Sequence, residues 1–191
     1  MGVDEVGRGS VAGPLTVGAV CLPLRPQIAW LNDSKKLSAK RREELDLRIR
    51  ASALALEIAH IPPEDIDRDG MAASLKKAMR AALDACCAAR CLEPDLVLID
   101  GIPLGVHPKE RSVVKGDARV ACIAAASIVA KVARDALMRE ADASFPGYGF
   151  ASNKGYASRQ HIAAIREKGL TTFHRASFCR GFFQEQITFD C

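Results

Sequence analysis

No window of this 191-residue chain approaches about 18 uninterrupted apolar residues, so no segment is expected to span a membrane. Its start, Met1-Gly2-Val3-Asp4, turns acidic at the fourth position and lacks the basic start and apolar middle of a signal peptide. The expected compartment is therefore the cytoplasm. Internal repeats, low-complexity tracts and Gly/Ser linkers are absent as well, and one domain over residues 1–191 is expected. The seven cysteines (Cys21, Cys86, Cys87, Cys91, Cys122, Cys179 and Cys191) are odd in number and fit no disulfide framework. Cys86, Cys87 and Cys91 come nearest to a metal cluster. The Ala-rich helical run around them offers no histidine, so reduced thiols serving as small apolar residues are expected. Two phosphate-binding signatures are missing too. GxxxxGK[ST] does not occur. Gly7, Gly9 and Gly13 miss the GxGxxG spacing, and Pro14 follows where a helix would have to open.

What is present is a 49% hydrophobic composition, enough for one substantial core. Net charge is +4, which suits a polyanionic partner without demanding one. Residues 11–22 (VAGPLTVGAVCL) are small and β-branched and read as a strand closed by Pro23 and Pro26. Residues 1–6 form a shorter strand running into Gly7 and Gly9. Residues 38–50 read as an amphipathic helix with Ser38 as N-cap and Leu45 and Ile49 on its apolar face. Residues 53–61 are a strand stopped by Pro62-Pro63, and 71–90 a helix. Residues 96–99 are an unbroken apolar run ending in Asp100-Gly101, as in a central strand covered on both faces. A short strand at 111–114 and helices at 119–144 and 158–168 complete the pattern. It predicts an α/β fold: a mixed sheet with helices on both faces.

The carboxylates fall in a telling place. Asp4 and Glu5 close the first strand, Asp100 closes the run 96–99, and Asp117 precedes the long helix. Ligand sites in open sheets form beyond strand ends, so acids distant in sequence can meet there. Two carboxylates about 4 Å apart repel by roughly 4 kcal/mol at an effective dielectric of 20, so such a cluster needs divalent metal or altered protonation. Hard oxygen ligands favour magnesium or manganese. Taken singly, each acid reads as a turn or helix cap, and Asp117 could cap the next helix. Side chains alternate along a strand, so Asp4 and Glu5 share one site only if the strand ends or twists before Gly7. Asp135 is a competing ligand, but it lies roughly 20 Å further along the long helix and is expected to pair with Lys131. The cations Lys35, Lys36, Lys40, Arg41 and Arg42 cluster around a helix start, for which a solvated surface is the simpler reading. Lys154, Arg159 and Arg175 add scattered charge.

Seven segments together resemble bacterial ribonuclease HII: GVDEVGRG at 2–9, NDSKKLS at 32–38, LIDG at 98–101, VVKGDARV at 113–120, AASIVAKVARD at 125–135, FPGYGFASNKGY at 145–156 and HRASF at 174–178. Their order is the family's and they spread over nearly the whole chain. The resemblance implies a ribonuclease H-like fold with a mixed five-stranded sheet, flanking helices and a helical C-terminal part from about residue 145 that contributes to substrate binding. It implies two divalent ions, Mg2+ or Mn2+, held by Asp4, Glu5, Asp100 and Asp117. Gly7, Arg8 and Gly9 match the loop that contacts a ribonucleotide 2′-hydroxyl, largely through backbone, and Tyr156 matches the tyrosine packed on the following sugar. Ser34, Lys35 and Lys36 are counted with the substrate-binding residues. The implied substrates are RNA/DNA hybrids and duplex DNA containing ribonucleotides, cut by a monomer.

The chain departs from that family in three places. Ser10 stands where proline is usual, Ala176 replaces a common second arginine, and only three residues precede Asp4, so a frayed first strand or a late start is expected. Gln186-Ile187-Thr188-Phe189 weakly resembles a sliding-clamp peptide, with a frayed tail as the simpler reading. Two rival functions share some of these features. A resolvase or transposase core would share the acids but give no reason for the Gly7–Gly9 loop and Tyr156. A non-catalytic nucleic-acid-binding module would keep the cations and tolerate loss of the acids.

Overall fold

β1 (Gly2–Val6) and β2 (Leu15–Cys21) carry the small and branched residues that suit strands covered on both faces. The computed structural model describes residues 1–26, 28–29, 31, 34 and 37–183. β1 pairs antiparallel with β2, and β2 antiparallel with β3 (Ala55–Ile61). On its other side β1 runs parallel to β4 (Val97–Asp100), which runs parallel to β5 (Glu110–Val113). The order β3-β2-β1-β4-β5 is the mixed five-stranded sheet expected, with β1 at its centre.

The alternation of β2 assigns its two faces. Leu15, Val17 and Ala19 join Leu75, Met79 and Leu83 of α3 (Met71–Ala88) in one core. Val20 joins Leu45 and Ile49 of α1 (Ala39–Ser52) and Ala125, Ile128 and Val129 of α4 (Ala121–Ser144) in the other. Ser38 caps α1 as expected, its side chain accepting from the Arg41 amide. α4 lies unusually close to the sheet. A Cβ on Gly2 would sit 2.3 Å from the Cys122 carbonyl carbon, and one on Gly18 2.6 Å from the Ala126 carbonyl oxygen. Alanine at either glycine would push the helix away from the central strands, an overpacking cost of about 1–3 kcal/mol.

Three local expectations change. β2 starts at Leu15, not Val11, because Gly13 turns the chain at φ +80° and Pro14 has no amide to pair. Val11 and Ala12 instead donate to the Gly155 carbonyl. β1 is not frayed: the Met1 amine donates to the Leu96 carbonyl at 3.0 Å, and the Leu98 amide to the Met1 carbonyl at 2.9 Å. A helix, α2 (Pro63–Asp69), follows Pro62 where only a strand stop was expected. Seven residues with one buried branched side chain, Ile66, carry too little period to read, although Pro63 and the acidic first turn suit a helix start.

The C-terminal part is helical as expected, with α5 (Phe150–Asn153), α6 (Arg159–Lys168) and α7 (Ala176–Cys179). It packs around Met138, Tyr148, Phe150 and Ile165. Asp67 of α2 ties it down by accepting from the Ala176 amide at 2.7 Å and the Ser177 amide at 3.1 Å. Among the described residues no helix is long and apolar enough to cross a membrane.

Candidate active site

Three acids converge where β4 ends and β1 continues. Val3 stands opposite Ile99 in the parallel pair, and β4 stops at Asp100, so the register brings Asp4 beside Asp100 on one face. Asp4 therefore lies in mid-strand, not at the strand end. β1 runs on to Val6 against β2 alone. Asp117 arrives from a 3-10 turn, Gly116–Ala118, entered through Lys115 in the left-handed region. Asp100 shapes that turn, its Oδ1 accepting from the Gly116 amide at 2.6 Å. One carboxylate oxygen from each of Asp4, Asp100 and Asp117 lies within 4.8 Å of the others. Asp117 does not cap the long helix, whose N-cap is Val120. Glu5 stands outside the three, 3.7 Å from Arg8, on the strand's alternate position.

Asp4 is 6% exposed. Its burial and the charges of Glu5 and Asp100 push its carboxyl up to about 8, against hydrogen bonds from the Ser127 hydroxyl and the Glu5 amide. Such a group ionises readily only beside a cation. Three carboxylates with converging oxygens fit a hard divalent ion such as Mg2+ or Mn2+.

The glycine loop lies on two buried guanidiniums. Gly7 takes φ +84°, and a Cβ there would sit 2.2 Å from Arg134 Nε. Arg8 and Gly9 are exposed. Arg134 and Arg175 are both fully buried, so Arg175 is not the scattered surface charge expected from the sequence. Arg134 donates to the carbonyls of Pro14, Lys154 and Ala12 and to Ser10 Oγ. Arg175 donates to the carbonyls of Gly13, Arg8 and Ser10. Burial and the charge of Arg134 lower Arg175 to about 9. The sequence does hold a signal for Arg134, which falls on the helical stripe of Ala126, Ala130 and Met138, all fully buried.

Tyr156 is 41% exposed, with its ring centroid 5.9 Å from Arg134 Cζ, so one arginine supports both the glycine loop and the tyrosine. The Tyr156 carbonyl accepts from His161 Nδ1 at 2.9 Å, and His161 Nε2 meets His174 Nε2 at 3.1 Å. The Thr171 amide donates to His174 Nδ1 at 3.0 Å. A carbonyl only accepts and an amide only donates, so one proton per ring satisfies the whole chain and both histidines are neutral. Burial lowers both, and His161 beside it helps bring His174 to about 4.

Ser34 is 4% exposed and points inward, its hydroxyl 2.9 Å from that of Ser127, which reaches Asp4. It is buried behind the acids rather than exposed with the cations around it in sequence. Lys35, Lys36 and the tail residues Gln186-Ile187-Thr188-Phe189 lie outside the described residues. Asp135 is apart from the acid cluster and pairs with Lys131 at 2.7 Å, as expected, and also with Arg42 at 3.7 Å.

Known proteins resemble this chain in sequence and in fold. The sequence model described as Ribonuclease HII matches residues 1–181. Ribonuclease HII of Moorella thermoacetica is 49% identical over 178 residues, which cover 93% of this chain and 84% of that protein. Ribonuclease HII of Enterococcus faecalis is 45% identical over 177 residues, 93% of this chain and 68% of that protein. The solved structure of the PCNA:RNase HII complex from Archaeoglobus fulgidus contains a chain that matches with TM-score 0.77 and 26% identity, over 97% of each chain. By profile, identity and fold together, the chain belongs to the ribonuclease HII family.

Proposed function

We propose that this protein hydrolyses the RNA strand of RNA/DNA hybrids and cuts on the 5′ side of ribonucleotides embedded in duplex DNA, leaving 3′-hydroxyl and 5′-phosphate ends. The observation that carries this reading is the convergence of Asp4, Asp100 and Asp117 in a fold shared with that family. These three would hold two divalent ions, Mg2+ or Mn2+, with Glu5 as a further carboxylate at the edge. The ions supply Lewis-acid activation of water and charge stabilisation at the leaving 3′-oxygen when bound.

The protein's own residues prepare that site. Ser127 and the Glu5 amide hold the Asp4 carboxylate, and the Gly116 amide holds Asp100, so the ligand oxygens are set before any substrate arrives. The Gly7–Gly9 loop offers exposed backbone to a 2′-hydroxyl, the group that separates RNA from DNA. Tyr156 offers a half-exposed ring to the next sugar. Arg8, Lys35 and Lys36 add charge for the backbone phosphates. On this reading residues 1–191 act as one catalytic domain, a cytoplasmic monomer, with the part from about residue 145 helping to hold the duplex. The test is incubation with a DNA duplex carrying one ribonucleotide, with and without magnesium, with product ends mapped. Cutting 5′ of the ribonucleotide is expected, and only with metal. Cutting of an all-DNA duplex would point to a resolvase or transposase core instead, and binding without cutting to a non-catalytic module.

A further inference from the structure

The two outward amides of the glycine loop belong to peptide units whose carbonyls are held from behind. The Gly7 carbonyl accepts from Ser10 Oγ at 2.8 Å, and Ser10 Oγ accepts from Arg134 Nη2 at 2.7 Å. The Arg8 carbonyl accepts from Arg175 Nη1 at 3.1 Å. In a trans peptide the carbonyl and the amide point in opposite directions across one plane. Fixing the Gly7 carbonyl inward therefore aims the Arg8 amide outward, and fixing the Arg8 carbonyl inward aims the Gly9 amide outward. Among the described residues neither amide meets an acceptor. A cationic donor on the carbonyl also polarises the peptide and strengthens its amide as a donor.

We infer that Arg175 and the Arg134–Ser10 pair are positioning residues that aim these two amides at the ribonucleotide, and that Ser10 thereby sets the preference for RNA over DNA. This rests on the reading that the loop meets the 2′-hydroxyl. Ser10 is fully buried. Its hydroxyl restrains the loop by tying the Gly7 carbonyl to a guanidinium anchored elsewhere. Arg134 keeps its bonds to Pro14, Lys154 and Ala12 when that hydroxyl is removed, so Ser10→Ala takes the hydroxyl donor from the Gly7 carbonyl and leaves it only the Ser10 amide at 3.4 Å, without freeing the arginine.

The experiment measures Kd for two duplexes, all-DNA and DNA with one ribonucleotide, by fluorescence anisotropy in an Asp100→Asn background that stops turnover. Ser10→Ala should cut the ribonucleotide preference by about three- to tenfold, the worth of one hydrogen bond. Its all-DNA Kd should stay within about twofold and its Tm near that of the parent. Arg175→Lys keeps the charge, loses the forked donors and should narrow the preference too, which carries the test if Ser10→Ala fails to fold. A full preference in both variants, or equal weakening on both duplexes, overturns the inference while the 2′-hydroxyl reading stands. A parent that binds both duplexes equally overturns that reading, and the inference with it.

Discussion

Replacing Asp4 by asparagine should stabilise the metal-free protein and weaken its response to magnesium. Folding moves the Asp4 carboxyl from 3.8 to about 8, through burial first and then Glu5 and Asp100. Between those values the folded state holds a proton that the unfolded chain has released, so this group's contribution is full below about pH 4 and falls as pH rises towards about 8. At pH 7 the cost reaches about 4 kcal/mol as an upper limit, at 1.36 kcal/mol per pH unit. Asparagine removes it but buries an amide of its own, which leaves a net gain of about 2 kcal/mol. In a chain this size that is about 4–8 °C in Tm. His161 and His174 slope the other way, because groups held neutral by burial lose stability as pH falls from 6.5. The quantity to read is therefore the difference in Tm between variant and wild type, by circular dichroism in EDTA from pH 5 to 8.5. It should widen with pH and level off near 8. Magnesium at about 100 times its Kd should then stabilise the wild type by about 2.7 kcal/mol and the variant by much less. A variant less stable than wild type at every pH, with the same gain from magnesium, refutes the crowded-carboxylate argument.

Other predictions test separate parts of the site. Asp117→Ala should eliminate turnover, whereas Asp135→Ala should keep specific activity and lose about 2 kcal/mol of stability by stranding Lys131 and Arg42; activity per folded molecule, with Tm, checks both. Tyr156→Ala should lower kcat/KM by about 5- to 150-fold on a duplex with one embedded ribonucleotide, and by less on a continuous hybrid; equal losses would show that the ring does not read the junction. Nitrogen NMR of the imidazoles should find His161 and His174 neutral at pH 6, with the proton on Nδ1 of the first and Nε2 of the second.

Much of this layout was legible in the residues. The strands at 1–6 and 96–99 announced themselves by composition, and the rule that open sheets bind ligands at strand ends pointed to their acids, although Asp4 turns out to lie in mid-strand. Helix rise alone sets Asp135 apart from Asp117, and the structure pairs Asp135 with Lys131. Other features required the third dimension. No pattern along β1 reveals that β4 stops one residue past the Val3–Ile99 pair, which is what places Asp4 beside Asp100. Ser34 read as part of a cationic surface because its neighbours are lysines, yet its hydroxyl turns in to Ser127 across 93 residues of sequence. Arg175 read as surface charge because arginine usually is. Its burial depends on carbonyls of a loop 162 to 167 residues away, beyond the reach of any local signal.

The most direct test of the central claim is cleavage of a DNA duplex carrying one ribonucleotide by wild type and Asp100→Asn, each with EDTA and with saturating magnesium. The account predicts one cut, 5′ of the ribonucleotide, by wild type with magnesium and no cut in the other three reactions. Full cleavage by Asp100→Asn, or by wild type in EDTA, would contradict it.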